Sequence, residues 1–325
     1  VYIDNSDIKQ NQEIILSDSV KGKFNNMTIR AGGTGFVVVN LLKLIGTHVS
    51  IEQESEYVVK YLLPDFNFNT YKDTTCSAFN LHKLFDMSLK YLYNEFPREY
   101  FHIIRMQPID YLNDVIKPTV KIRFISKENK EVYYRFDNDN DVQMRNINCS
   151  HLFEKTVENN LVLIDYNKGY LNKSTIKSLM DYMTTNNISF KHMFLNTKPD
   201  NITNFKEILG VFKRLGTKVH IQLNEFEYEP IKDVLDGDDY YWSTIIVTRG
   251  TKSILLKESG KVDTEIDISS TLVDNVYTTS GCGDLMLSGI IYATLYKNVD
   301  IKSAIEFSIS KMKESIVNLN IDLFT

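Results

Sequence analysis

Cysteine is scarce in this chain. Cys76, Cys149 and Cys282 stand far apart along 325 residues, which argues against a disulfide framework and offers no zinc-cluster spacing. A reducing, cytoplasmic setting is the expectation. No apolar run approaches the ~20 residues that a membrane span needs, and no signal peptide is recognisable. No block of five like charges occurs, and a formal net charge of -5 argues against a nucleic-acid surface. The chain starts at Val1 rather than Met, so a processed piece with a first strand upstream is expected. The length suits one large or two modest domains with a sizeable core.

What is present concentrates at Thr278-Thr279-Ser280-Gly281-Cys282-Gly283-Asp284, ahead of an apolar stretch, Leu285 to Tyr296, that reads as a helix. Two glycines around a small residue let the backbone turn tightly and aim consecutive N–H groups at one point, which suits an anion. Asp284 follows at once, where a carboxylate can take a proton from a nearby hydroxyl. The plain alternative is an ordinary helix start with a glycine turn and an acidic first turn.

Other stretches give this motif a frame. Asp4 ends a strand-like start, where it is either a ligand-facing acid or a turn residue. Ala31-Gly32-Gly33-Thr34-Gly35 leads into Phe36 to Ile45, read as a helix that stops at Gly46. Residues 47–115 are hard to read, apart from an amphipathic helix over Cys76 to Phe96 and a short strand over Phe101 to Met106. Val120 to Ile125 and Val132 to Phe136 read as a β-hairpin with one charged face, either covering a site or simply solvated.

From Leu161 the rhythm is strand, helix, strand. Strands are expected at Leu161–Ile164, Phe190–Leu195, Val219–Leu223 and Thr244–Thr248, with an antiparallel pair beginning at Ser253. Helices are expected at Ser174–Thr184 with Ser174 as cap, Asn204–Leu215, Ile231–Leu235 and Ile301–Val317. That alternation predicts an α/β fold, a mostly parallel sheet with helices on both faces. Polar residues recur where strands end: Asp165 and Lys168, Lys198, Gln222 and Glu225, Thr248, then Asp284. Ligands bind at that edge of such sheets.

With these residues in view, the chain resembles the ribokinase-type (PfkB) carbohydrate kinases. Gly281-Cys282-Gly283-Asp284 is similar to the family's G-A-G-D, Gly32-Gly33 to its glycine turn, and Thr248-Arg249-Gly250 to its adenosine-side strand end. Within the family the chain looks most like the heptose 7-phosphate kinase domain. Three stretches carry this: Pro118 to Arg123 with Arg135-Phe136-Asp137 (P-T-x-x-K-x-R…R-x-D, one residue short), Asp165 to Gly169 (D-Y-x-K-G) and Val247-Thr248-Arg249 (V-T-R). The similarity covers 118–317 continuously and 1–46 more loosely, while 47–115 diverges.

The resemblance implies a single ribokinase-like domain over 1–325, with lid strands at about 13–30 and 118–137. It implies ATP and Mg²⁺ as cofactors, a sugar or sugar-phosphate substrate, and a homodimer paired through the lid; neither nucleic acid nor membrane is an expected partner. Asp284 would be the base, and the N–H groups of Gly281, Cys282 and Gly283 the anion hole. Lys198 would meet nucleotide phosphates, and Thr248 and Gly250 would border the nucleotide. Glu225 would organise Mg²⁺ through water as the glutamate of N-x-x-E, with Gln222 in the asparagine's place and Ser308 by the adenine. Asp4, Gly32, Gly33, Asp165 and Lys168 would lie on the sugar side, and Lys121 and Arg123 would suit a sugar phosphate.

The chain also departs from the pattern. The aspartate before the hole is replaced by Thr278, a sugar-side asparagine by Val37, and a strand-end aspartate by Asn196. The family's G-x-D-x-x-G segment is not recognisable, and the last helix carries Ser308, Ser310 and Lys311. Together these changes point to an altered substrate or to weakened catalysis. Two alternatives therefore stand beside a sugar kinase: a non-catalytic binding or assembly domain, and a kinase for another alcohol such as a nucleoside.

Overall fold

The computed structural model describes residues 34–48, 57–61, 104–108, 120–125, 132–138 and 160–317, apart from 168, 170, 238, 239, 241, 270, 271 and 273–280. In chain order these form α1 (Thr34–His48), β1 (Tyr57–Tyr61), β2 (Ile104–Pro108), β3 (Val120–Ile125), β4 (Val132–Asn138) and β5 (Asn160–Ile164). Then come α2 (Lys173–Asn186), β6 (His192–Asn196), α3 (Lys206–Arg214), β7 (Lys218–Asn224), α4 (Glu225–Tyr228) and α5 (Lys232–Leu235). The last elements are β8 (Thr244–Thr248), β9 (Ile254–Lys257), β10 (Thr264–Ile266), α6 (Cys282–Leu295) and α7 (Ile301–Val317).

Six strands make one sheet in the order β10-β9-β8-β7-β6-β5. The strands β5 to β8 run parallel, while β9 pairs antiparallel with both β8 and β10. The parallel strands are short, and their central residues are mostly buried, as expected of strands covered on both faces. Alternation then divides the side chains. Leu195, Ile221, Leu223, Ile245 and Val247 pack with Ile176, Leu179 and Met183 of α2 and Ile208, Leu209 and Phe212 of α3. Phe194 and Ile246 face the other way, into a cluster built by α1, α6 and α7.

The helices show why each takes its place. In α2 the buried residues Thr175, Ile176, Leu179 and Met183 form one stripe. In α6 every residue from Leu285 to Thr294 is buried, so this helix is enclosed on all sides. Its contact with α7 is close: a methyl group added at Gly289 would lie 2.4 Å from Ser308 Oγ. Ser288 Oγ donates to Val37 O at 3.2 Å and so ties α6 to α1. None of the described helices is long and apolar enough to cross a membrane.

Several boundaries differ from expectation. The cap of α2 is Asn172, not Ser174; its side chain accepts from Thr175 N at 2.9 Å. The expected helix from Asn204 opens as a 3-10 turn, Pro199–Phe205, and becomes α-helical only at Lys206. The helical segment after β7 starts at Glu225, six residues earlier than expected, because Asn224 and Glu227 close a reciprocal capping box. The helix expected from Leu285 begins at Cys282, within the glycine motif. The segment 47–115 contributes β1 and β2, which pair in parallel. The hairpin is present as β3 and β4, whose register sets Arg123 opposite Arg135 and Lys121 opposite Asp137. The expected lid strands at 13–30 and the helix over Cys76 to Phe96 lie outside the described residues.

Candidate active site

The parallel strands place the ends of β5, β6, β7 and β8 along one edge, and the start of α6 meets them there. Gly281 caps α6 with φ 91°, a left-handed conformation that glycine adopts without a Cβ penalty. The first bond inside the helix runs from Leu285 N to Gly281 O at 2.9 Å. The N–H groups of Cys282, Gly283 and Asp284 therefore precede the helical ladder. Below them, Gln222 Nε2 donates to Gly283 O at 2.9 Å and fastens β7 to this turn. The other Gln222 side-chain atom, Oε1, is buried and finds no partner among the described residues. A methyl group added at Gly283 would meet nothing within 4 Å, so the turn is open on that side.

Asp284 sits in the first turn of α6, and the phenol of Tyr166, just past β5, donates to its Oδ1. Burial pushes the Asp284 carboxyl above its ordinary range, against the Tyr166 hydrogen bond and the charge of Lys198, which lower it, while Glu227 adds to the rise. Burial and the neighbouring Asp284 also raise the phenol well above its usual range, so it remains a donor. The ammonium of Lys198, past β6, stands 5.5 Å from the centre of the Tyr166 ring and pairs with Glu227 Oε1. Glu227 is held in turn by the capping box: Asn224 N donates to its Oε2 at 3.0 Å, and its own N–H donates to Asn224 Oδ1 at 2.9 Å. Burial pushes the Cys282 thiol up to about 11, with Asp284 contributing, so it is a neutral thiol in the turn.

Asp165 anchors the Tyr166 backbone. Its Oδ1 accepts from Asn167 N at 2.8 Å, and its Oδ2 accepts from Asn201 Nδ2 at 2.8 Å and Thr197 Oγ1 at 3.1 Å. No group of three or more His, Cys, Asp or Glu side chains placed to hold a metal ion occurs among the described residues.

Comparison with solved structures extends over most of the chain. The ribokinase from Cryptococcus neoformans var. grubii serotype A, in complex with ADP, superposes with a TM-score of 0.50 at 14% identity, covering 94% of this chain and 88% of its own. The fold is ribokinase-like. Anopheles gambiae adenosine kinase, in complex with P1,P4-di(adenosine-5) tetraphosphate, gives a TM-score of 0.49 at 14% identity over 88% of this chain and 79% of that one. A putative ribokinase II from E. coli, in complex with ATP and Mg²⁺, gives 0.49 at 11% identity over 95% and 91%. No protein-family model matches the chain, and no curated protein matches it. Identities this low establish the ribokinase-like fold alone.

Within that fold, Asp284, Gly281, Cys282, Gly283, Gln222 and Lys198 come together at the sheet edge. Glu225 is turned to an ion pair with Lys252 at 3.0 Å, whereas Glu227, two residues on and on the other side of the helix, holds Lys198. The sequence carries N-x-x-E at Asn224–Glu227, and the capping box makes that pattern visible without a structure. Thr248 Oγ1 donates to Leu223 O at 3.4 Å, and Gly250 turns with φ 63° beside open space. Ser308, expected beside the adenine, is fully buried between α6 and α7, where its Oγ donates to Met286 O at 2.8 Å. Asp165, expected on the sugar side, has both oxygens engaged by its own strand-end neighbours. Val37 is buried in the core. Asp4, Gly32, Gly33 and Lys168 lie outside the described residues, and Lys121 and Arg123 are placed on β3 by backbone register only. Sequence reasoning missed Tyr166 and Glu227; the strand-end position of the first and the capping pattern of the second were the available signals.

Proposed function

We propose that this chain transfers the γ-phosphoryl group of ATP to a hydroxyl of a sugar or sugar phosphate. The observation that carries the reading is Asp284: a half-buried carboxylate at the start of α6, beside an open glycine turn and near Lys198 and Glu227. A base held next to an anion cradle is the equipment that phosphoryl transfer to an alcohol requires. An ADP-bound ribokinase of like fold supports a nucleotide as one ligand.

The residues fit such a ligand. The Gly283 side of the turn is open, and the N–H groups of Cys282 and Gly283 lack helical acceptors, so they can face phosphate oxygens. ATP would bring the phosphoryl group, and Mg²⁺ would offset part of the triphosphate's charge. Mg²⁺ commonly uses one or two carboxylates, water and substrate phosphates rather than a protein cage. In this reading Glu227, which lies beside Lys198, would hold water on Mg²⁺ in place of Glu225, which pairs with Lys252. Lys198 exchanges its Glu227 partner for a phosphate oxygen. Thr248 and Gly250 border the nucleotide. Asp284 takes the acceptor's O–H proton as that oxygen bonds to the γ-phosphorus and the bond to the β-phosphate oxygen breaks.

The acceptor proposed is heptose 7-phosphate or a close relative. The reading rests on backbone register: β3 and β4 bring the positions of Lys121, Arg123 and Arg135, with Asp137 opposite Lys121, to one face of the hairpin. Asp4, Gly32, Gly33 and Lys168 complete the sugar side in this proposal, and β3 with β4 supplies the pairing surface of a homodimer. A binding domain without turnover is the second reading. It is favoured by one engagement: Glu227 occupies Lys198.

The test is a phosphate-transfer screen with ATP·Mg over heptose, hexose and pentose phosphates and free sugars, on the wild type and Asp284→Asn. The kinase reading expects turnover that falls by at least about 10³-fold in Asp284→Asn. Equal turnover in the two proteins sinks the mechanism, and nucleotide binding without turnover selects the second reading.

A further inference from the structure

Tyr166 is a group that the proposed chemistry does not use, yet it touches the reacting carboxylate directly. It is 118 residues away from Asp284 in sequence and joins β5 to α6 through one hydrogen bond. Its position is fixed from three sides. The preceding Asp165 is clasped by Thr197, Asn201 and the Asn167 N–H. The following Asn167 turns the chain with φ 56°. The Lys198 ammonium lies over the ring at 5.5 Å from its centre.

We propose that Tyr166 is a positioning residue for Asp284: its phenol holds Oδ1 and leaves Oδ2 as the oxygen that receives the acceptor's proton. This rests on the reading of Asp284 as the base. Among the described residues Oδ2 has no hydrogen-bond partner. A free carboxylate rotates and offers either oxygen, whereas one oxygen bound by a rigid donor aims the other. Among the described residues, the charged and titratable groups around the carboxylate are Tyr166, Lys198, Glu227 and Cys282. Of these, Tyr166 is the one that hydrogen-bonds to it. That bond favours the ionised form and opposes the burial that disfavours it. Tyr166 thus acts on two properties at once, the direction of the base and the pH at which it is ready.

Tyr166→Phe removes only the hydroxyl. The expected result is a kcat lower by about tenfold at neutral pH, a KM for ATP within about threefold, and an acid limb of the pH–rate profile moved to higher pH by roughly one unit. A residue that merely fills space would leave the limb in place, so an unmoved limb overturns the proposal. A second measurement does not need turnover. In protein labelled with ¹³C at tyrosine Cζ, with Tyr166→Phe assigning the signal, the Tyr166 resonance should titrate with Asp284 and stop titrating in Asp284→Asn. A flat Tyr166 signal in the wild type overturns the pairing. Titration of that signal in a protein that phosphorylates no acceptor keeps the pairing and removes the kinase reading instead.

Discussion

Gly281 and Gly283 are two positions apart in one motif, and the structure assigns them different reasons to be glycine. At Gly281 the reason is backbone conformation: φ is 91°, and an added Cβ would stand 3.0 Å from Phe36 Cε1. An L-residue in the left-handed region costs about 1–2 kcal/mol, and the buried Phe36 ring must also shift by a few tenths of an ångström. Gly281→Ala should therefore lose about 2–3 kcal/mol of stability. At Gly283 the backbone is helical and the added methyl meets nothing within 4 Å. Alanine in place of glycine in a helix gains up to about 1 kcal/mol, less at a first turn, so Gly283→Ala should be as stable as the wild type or slightly more so. Its methyl instead occupies the open side of the turn, and phosphate transfer should fall by about 10²-fold. Urea unfolding followed by the single tryptophan, Trp242, gives the stabilities, and phosphate transfer at saturating ATP gives the rates. A Gly281→Ala protein that unfolds with the wild type, or a Gly283→Ala protein that keeps full turnover, contradicts these roles of the two glycines.

Gly289→Ala probes the α6–α7 contact, where the new Cβ would meet Ser308 Oγ at 2.4 Å and Ser308 Cα at 3.0 Å. Overpacking of about 1–3 kcal/mol outweighs the helix-propensity gain, and adding Ser308→Ala should recover part of the loss in urea unfolding; a stabilised single variant contradicts the packing. The His192–His220 pair, 3.1 Å apart between Nδ1 and Nε2, gives a pH prediction. Burial holds His192 at about 4 and His220 at about 3. Both are depressed from the unfolded value, so the stability they contribute is complete above pH ~6.5 and is lost as pH falls through those values. His220→Phe should flatten that decline between pH 6.5 and 4 in urea titrations, and an unchanged slope would remove the pair as its cause.

The parts of this fold that were legible in the sequence are those set by local chemistry. The strand Thr244–Thr248 and the helix Ile301–Val317 stand where periodicity places them, because one is a short buried run and the other a continuous stripe from Ile301 to Ile309. The polar strand ends were legible for the same reason, since a buried strand must stop where polar residues begin. What sequence left open is which of two or three neighbouring residues points at the site. Asp165 and Tyr166 are adjacent, and either could face a ligand on local grounds. Asp165 goes to the β6 connection through Thr197 and Asn201, and that anchoring leaves Tyr166 to reach α6. Glu225 and Glu227 differ in the same way. A capping box with Asn224 pins Glu227 near Lys198 and releases Glu225 to Lys252. In both cases a hydrogen bond that ends a secondary-structure element decides which side chain enters the site. Asx turns and capping boxes at strand ends are therefore the sequence features that carry site geometry here, and the glycine motif is legible only as the place to which they point.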